Sequence, residues 1–348
     1  MTKPLISLAA LIALASPASA QEAAPHPSPN QIVAEAATEE WVAIAPEDLL
    51  VMTLAPAADG AEREVLIQLM PAPFGQNWVK NIRTFARSGW FDDITVNRVQ
   101  DNYVVQWGDA NYDNPESSGR PKALPAALVA TTEEDYAVSG DAISLSTLLT
   151  DSERDLALEA DSYIASDDRT AAVILANGLV DAYAQLSLFY QGWPLASNIG
   201  SDEEGEPATV WPIHCYGMVG VGRNLSPDAG TGAELYTVIG HAPRHLDRNI
   251  ALVGRIVEGM EHLSSLPRGK GQLGFYEDES KRVPILSVRV ASDLPQGERP
   301  AFEFLSTDSA SFARYADARA NRRDPFFNVP AGGADICNIP VPVRRVLD

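Results

Sequence analysis

Cationic residues are scarce in this chain. Its 348 residues include 26 lysines and arginines against 47 aspartates and glutamates, a formal net charge of −21. A surface this acidic offers no cationic footprint for nucleic acid or an anionic membrane, and it favours solubility and weak, transient contacts. Long apolar runs are also missing. After the first twenty residues no predominantly apolar stretch reaches membrane-spanning length. Cysteine is nearly absent, with Cys215 and Cys337 alone. The usual catalytic signatures do not occur either. There is no Gly-x-Ser-x-Gly elbow and no Walker loop, and Gly220-Val221-Gly222 lacks the third glycine of a dinucleotide fingerprint. His241 and His245 have i,i+4 spacing, but Pro243 between them argues against a helix that presents both to a metal. Carboxylates are plentiful, yet no pair stands out as an acid/base dyad. We expect no cofactor and no metal.

What is present begins with a targeting pattern. Residues 1–20 carry Lys3, an apolar core at Leu5–Ala15 too short to span a bilayer, and a small-x-small site at Ala18-Ser19-Ala20. This reads as a cleaved signal peptide, the alternative being a retained anchor. The mature chain would start near Gln21, outside the cytosol, in the periplasm or beyond. Losing Lys3 takes the net charge from −21 to −22. In such an oxidising space Cys215 and Cys337 form either a disulfide or two separate buried thiols. A bridge would close a loop of more than a hundred residues. Residues 21–45, rich in Ala, Pro and Glu, read as a disordered leader.

Leu49–Leu54 and Glu64–Met70 are strand-like runs around the turn Pro56–Gly60, a hairpin pattern. Val79, Ile82, Phe85 and Ala86 recur at helical spacing, with Lys80, Arg83 and Arg87 on the other side, until Ser88-Gly89 ends the helix. The stretch Val96–Asp109 predicts two strands joined at Asp101-Asn102. Arg98 sits there among apolar neighbours, where a charge is costly without a partner or a task.

These motifs resemble the cyclophilins, the barrel-shaped peptidyl-prolyl cis-trans isomerases. In that family an aromatic-His-Arg run leads through a turn to an aromatic, two apolar residues and Gln-Gly-Gly-Asp. Here Arg98 falls on the catalytic arginine, Tyr103 and Val104 on pocket residues, Gln106 on the glutamine, and Gly108-Asp109 closes the motif, with Trp107 replacing a glycine. Asn81-Ile82 and Ala86–Asp92 are similar to the first plug helix and its exit. Gly217–Val221, Glu234–Val238, Pro243–Asp247, Ala251–Val257 and Glu258–Glu261 follow the family's later strands, turn and second helix in order. Val283–Val290 would be the last strand. The resemblance covers about half the chain.

The resemblance implies a mainly β fold, a closed eight-stranded antiparallel barrel plugged by two helices, over residues 46–294. About a hundred residues separate Asp109 from Gly217, so an insertion interrupts the barrel at about 124–208. Leu156–Phe189 reads there as one or two helices, with Ala171, Ile174, Leu175, Leu179, Val180, Tyr183 and Leu186 at helical spacing, and Ser201–Glu206 as an acidic loop. Such an insertion is either a stabilising cap or a lid or docking surface. Residues 295–348 form a C-terminal extension: a short helix with Phe304, Phe312, Tyr315 and Ala316, then a Pro-rich strap pinned at Cys337.

Rotation about a peptide bond faces a barrier of about 18–20 kcal/mol from amide resonance. Twisting an X–Pro bond leaves a lone pair on the prolyl nitrogen, which a guanidinium can meet with a hydrogen bond. By resemblance Arg98 is that donor and Gln106 holds Arg98 and the substrate carbonyl. Tyr103, Val104, Leu235, Tyr236 and Leu246 would form the proline cup. Four positions depart from the family pattern: Arg223 for asparagine, Glu234 for glutamine, His245 for the tryptophan that binds cyclosporin, and Ile250 for a wall histidine. The cup is therefore altered around a retained arginine, and Glu234 could hold Arg98 in an ion pair. The partners implied are proline-containing segments of folding exported proteins. The alternative is a proline-peptide-binding chaperone module with little turnover.

Overall fold

The computed structural model describes residues 26–112, 117–148, 181–200 and 207–346. The proposed signal segment, the helical positions before 181 and the acidic loop 201–206 lie outside them. Fifteen strands occur among the described residues: β1 (Trp41–Ala43), β2 (Leu49–Leu54), β3 (Arg63–Leu69), β4 (Ile94–Val99), β5 (Val104–Gly108), β6 (Val138–Ser139), β7 (Leu186–Tyr190), β8 (Trp193–Asn198), β9 (Thr209–Pro212), β10 (Met218–Val221), β11 (Leu235–Val238), β12 (Leu252–Glu258), β13 (Val283–Val290), β14 (Phe302–Leu305) and β15 (Val343–Arg345).

Eight of them close into an antiparallel barrel in the order β10-β11-β5-β4-β13-β2-β3-β12, the architecture expected from the sequence. The two hairpins read from alternation are β2–β3 and β4–β5. Alternate residues point inward. Leu50, Met52, Leu54, Val65, Ile67, Leu69, Val105 and Trp107 join one core. The helix Gln76–Arg87 lays Trp78, Val79, Ile82, Phe85 and Ala86 into that core. Its opposite face is tied down by Arg83–Asp48 at 2.6 Å and by Arg87 between Glu47 and Asp293. The second plug is shorter than expected, a single helical turn at Glu261–Ser264 that buries Leu263.

Three expectations are corrected outside the barrel. The leader is not disordered where it is described: Pro29–Ala34 is helical and β1 pairs with β14, Trp41 opposite Leu305. The cause is apolar. The outward residues Leu49, Val51 and Leu66 of the barrel need a cover, and Ile44, Phe302 and Phe304 supply it. Phe304 is accordingly in a strand, and the C-terminal helix is Ala310–Ala320, packed on the N-terminal one through Ile32, Phe312 and Tyr315. The described part of the insertion holds a four-stranded sheet, β6-β9-β8-β7, with only short helical turns at Glu133–Tyr136, Gly140–Ile143 and Leu145–Leu148. Leu186–Phe189, read as the end of a helix, is in strand β7 because Leu188 finds Leu195 across a hairpin. A short apolar run fits either period.

Cys215 and Cys337 are bonded, with Cα atoms 5.1 Å apart. The bridge ties the segment before β10 to the C-terminal extension. No helix of the described residues is long and apolar enough to cross a membrane.

Candidate active site

Strand β5 sorts its side chains by turn of the pleat. Val105 and Trp107 enter the barrel core, while Val104 and Gln106 face outward. Arg98 of β4 stands directly across from Gln106 in the strand register. Around this pair opens a cleft of about 670 Å³, a size suited to a small ligand or a few residues of peptide. Its walls include Arg98, Tyr103, Val104, Gln106, Tyr236 and Leu246.

Arg98 is half-buried, and each of its hydrogen bonds goes to a neutral oxygen. Nε donates to the Leu273 carbonyl at 2.7 Å, Nη1 to Gln106 Oε1 at 2.9 Å, and Nη2 to Gln100 Oε1 at 2.5 Å. The rings of Tyr103 and Phe275 lie 5.8 and 5.6 Å from Cζ. Burial lowers the guanidinium pKa, and the nearby phenols of Tyr103 and Tyr236 act in the opposite direction. Partial desolvation makes a hydrogen bond from such a donor stronger than it would be in water.

The expected ion pair between Glu234 and Arg98 is replaced by a relay. Gln106 lies between them, accepting from Arg98 and donating through Nε2 to Glu234 Oε2 at 3.3 Å. The Glu234 carboxylate occupies space that only a glycine at 108 leaves free, since a Cβ there would stand 2.0 Å from Oε1. Gly220 does the same for Tyr236, whose ring carbon and hydroxyl would lie 2.3 Å from a Cβ at that position.

The apolar cup consists of Val104 and Tyr236, packed with Val238, Tyr103 and Ile250. Leu235 is not part of it. It follows Glu234 and precedes Tyr236 in an extended chain, so it points the other way and joins the barrel core. His245 stands outside the cleft lining, exposed, with its ring stacked 6.4 Å from that of Tyr103. Arg223 reaches the cleft and is braced by the Asn249 carbonyl, at 3.0 Å from Nε and 2.8 Å from Nη2, and by the Asn224 carbonyl at 2.7 Å. Thus Arg98, Gln106, Tyr103, Val104, Glu234, Tyr236 and Leu246 come together, and Leu235 and His245 do not.

Sequence reasoning missed Leu273 and Phe275. They arrive on the loop after the short helix, where Leu273 adopts a φ of 54° and Phe275 bridges to Arg98. Pro267, Gly269, Gly271 and Gly274 are the signal of that loop in the sequence. It also missed His214, which is fully buried behind Tyr236. A histidine amid Trp211, Pro212 and Ile213 was the available sign.

The sequence profile described as "Cyclophilin type peptidyl-prolyl cis-trans isomerase/CLD" matches residues 72–290. A cyclophilin from Hirschia baltica is similar in structure, with a TM-score of 0.60 and 21% identity over 89% of this chain and 98% of that one. A cyclophilin-type isomerase from Cryptosporidium parvum aligns with a TM-score of 0.35 and 10% identity over 70% of this chain and 96% of that one. No curated protein matches the chain.

Proposed function

The chain belongs to the cyclophilin-type peptidyl-prolyl cis-trans isomerases, and from that membership we propose that Arg98 is its catalytic donor and that its clients are exported proteins. The isomerase needs no covalent step. It has to bind the twisted amide better than either planar isomer. As the X–Pro bond turns, the prolyl nitrogen becomes pyramidal and its lone pair becomes available. A guanidinium N–H of Arg98 donates to that lone pair, and the developing interaction replaces part of the lost resonance.

One observation carries this reading. A half-buried guanidinium with only neutral hydrogen-bond partners stands on the wall of a cleft next to an apolar cup of Val104, Tyr236, Leu246 and Ile250. The proline ring occupies that cup, and Tyr103 and Phe275 flank the guanidinium. Gln106 keeps its amide oxygen on Arg98 because Glu234 takes the amide N–H. The test is a protease-coupled assay on an Ala-Pro-Phe peptide with wild type and Arg98→Ala. Acceleration by the wild type that the variant lacks supports the reading. Equal rates for both leave a proline-peptide-binding module on the same barrel.

Export is supported by the composition of residues 1–20 and by the Cys215–Cys337 bridge, which persists in oxidising compartments. Fractionation of cells expressing the full chain checks it. A mature N-terminus near Gln21 in the periplasmic or secreted fraction is expected, and an uncleaved cytosolic chain would refute it.

A further inference from the structure

Behind the cup lies a line of buried charged groups that the isomerase mechanism leaves unused. Tyr236 turns its hydroxyl into the protein, 2.8 Å from His214 Nε2. His214 Nδ1 is 2.8 Å from Asp247 Oδ1, which also accepts the His214 backbone N–H at 3.0 Å. Asp247 Oδ2 accepts from Arg244 Nε at 2.6 Å, and Arg244 Nη2 donates to Asp181 Oδ2 at 2.5 Å. Side-chain exposure along the line is 1% for His214, 4% for Asp247, 3% for Arg244 and 6% for Asp181, so water cannot substitute for any partner. Asp181 belongs to the insertion. There it also accepts from Ser187 Oγ at 2.7 Å and from the Tyr183 backbone N–H at 3.0 Å, while the Tyr183 ring lies 5.1 Å from the Arg244 guanidinium.

The proton arrangement follows from the partners. Burial depresses the His214 pKa, and Asp247 opposes that effect. A neutral imidazole that donates Nδ1–H to Asp247 keeps its Nε2 lone pair, which accepts the Tyr236 hydroxyl. The phenol is thereby held by its polar end, and its ring face is left to the cleft. Asp247 and Arg244 flank Leu246, which also lines the cleft. Buried ionic groups contribute little net stability, but removing one member leaves an uncompensated charge, so the line defines a geometry more than it adds stability.

We propose that the insertion is a positioning device for the proline cup, in which Asp181 fixes Arg244, Arg244 fixes Asp247, and Asp247 through His214 fixes the Tyr236 ring and the turn carrying Leu246. This rests on the isomerase reading of the cleft. Asp181, Arg244, Asp247 and His214 do not line the cleft and act through Tyr236 and Leu246. A purely structural tether would lower stability and leave the folded protein's affinity for a prolyl peptide unchanged.

The test uses full-length wild type, Asp181→Asn and His214→Gln, with folding confirmed by circular dichroism. Three quantities are read: the Kd for an Ala-Pro-Phe peptide by calorimetry, kcat and KM for its isomerisation, and the tautomer of His214 from imidazole 1H–15N correlations. Wild-type His214 is expected protonated at Nδ1 only. Asp181→Asn should shift the His214 signals and raise Kd and KM about 3- to 10-fold, with kcat within 2-fold of wild type. Unchanged Kd and KM in Asp181→Asn, or a His214 protonated at Nε2, overturns the proposal. If His214→Gln does not fold, Tyr236→Phe serves in its place, because it removes only the hydroxyl. Combined with Asp181→Asn it should cost less than the sum of the two single changes, and full additivity overturns the proposal. A wild type that binds the peptide without turning it over removes the isomerase reading and leaves Kd to judge the positioning. A wild type that does neither overturns both.

Discussion

The barrel carries two arginine–glutamine pairs on its outer face, and they have opposite fates. Arg98 faces Gln106 across β4 and β5, and Arg255 faces Gln68 across β12 and β3. In each pair the glutamine oxygen accepts from the arginine, at 2.9 Å from Arg98 and 2.8 Å from Arg255. Each guanidinium also donates to a backbone carbonyl, of Leu273 or of Gly192. Each lies between two rings, Tyr103 and Phe275 for Arg98, Trp193 and Phe304 for Arg255. What differs is access. Trp193 belongs to the insertion and Phe304 to the C-terminal extension, and together they seal Arg255 to 8% exposure, whereas Arg98 remains on an open cleft. A guanidinium with neutral partners between two rings is therefore not in itself a site. On the closed side the same chemistry fastens added segments to the barrel, and its cost is visible. Burial with no carboxylate partner pulls the Arg255 pKa down to about 9, and its Nη2 has no hydrogen-bond partner among the described residues.

The largest effect should come from undoing the closure. The Cys215–Cys337 bridge spans 122 residues of sequence and borders the same groove as Arg255. Replacing both cysteines by serine should cost roughly 4 kcal/mol of unfolding free energy, in the range set by loop closure. Urea titration of oxidised wild type and the double variant measures it. A difference under about 1 kcal/mol would mean that the extension is held by its apolar contacts alone.

Next, Arg255→Ala should destabilise by about 3 kcal/mol. It removes ring contacts and leaves Gln68 and the Gly192 carbonyl without their donor. The kcat/KM of the folded fraction should remain within 2-fold. Arg98→Ala should invert this pattern, with a loss of about 100-fold in kcat/KM, the usual cost of removing one transition-state donor, and little change in urea midpoint. If both variants lose stability and neither loses specific activity, the distinction between the open and the closed pair fails.

Much of the open side was legible in the sequence and much of the closed side was not, for a physical reason. The β4–β5 hairpin and the helix bearing Val79 and Ile82 follow from local periodicity, which neighbouring residues express, and the Arg98–Gln106 pair follows from the cyclophilin resemblance carried by that hairpin. Leu235 was misassigned because a motif match ignores the two-residue repeat of a strand, and Tyr236 already claimed the cleft face. Trp41–Ala43 is too short a strand-forming run to stand out in an Ala- and Glu-rich context, and its partner Glu303–Leu305 lies far along the chain. Leu186–Tyr190 continues a helical spacing until the hairpin with β8 decides otherwise. The role of Arg255 was invisible because Trp193 and Phe304 come from two segments outside the barrel motifs.

The smallest effect sharpens the open side further. Glu234 Oε2 accepts from Gln106 Nε2, and that choice turns Gln106 Oε1 towards Arg98. A carboxylate can only accept, so it enforces this amide orientation. Gln68, the counterpart on the closed side, also presents its oxygen to the arginine. Glu234→Gln introduces an N–H at the same place and lets Gln106 flip, turning a donor towards the guanidinium for part of the time. We expect kcat/KM for the Ala-Pro-Phe peptide to fall about 3-fold, a fraction of one hydrogen bond's net contribution. A rise would show instead that the negative charge restrains Arg98 through the relay. An unchanged rate would mean that Arg98, held also by the Leu273 carbonyl and Gln100, needs no ordering of Gln106 at all.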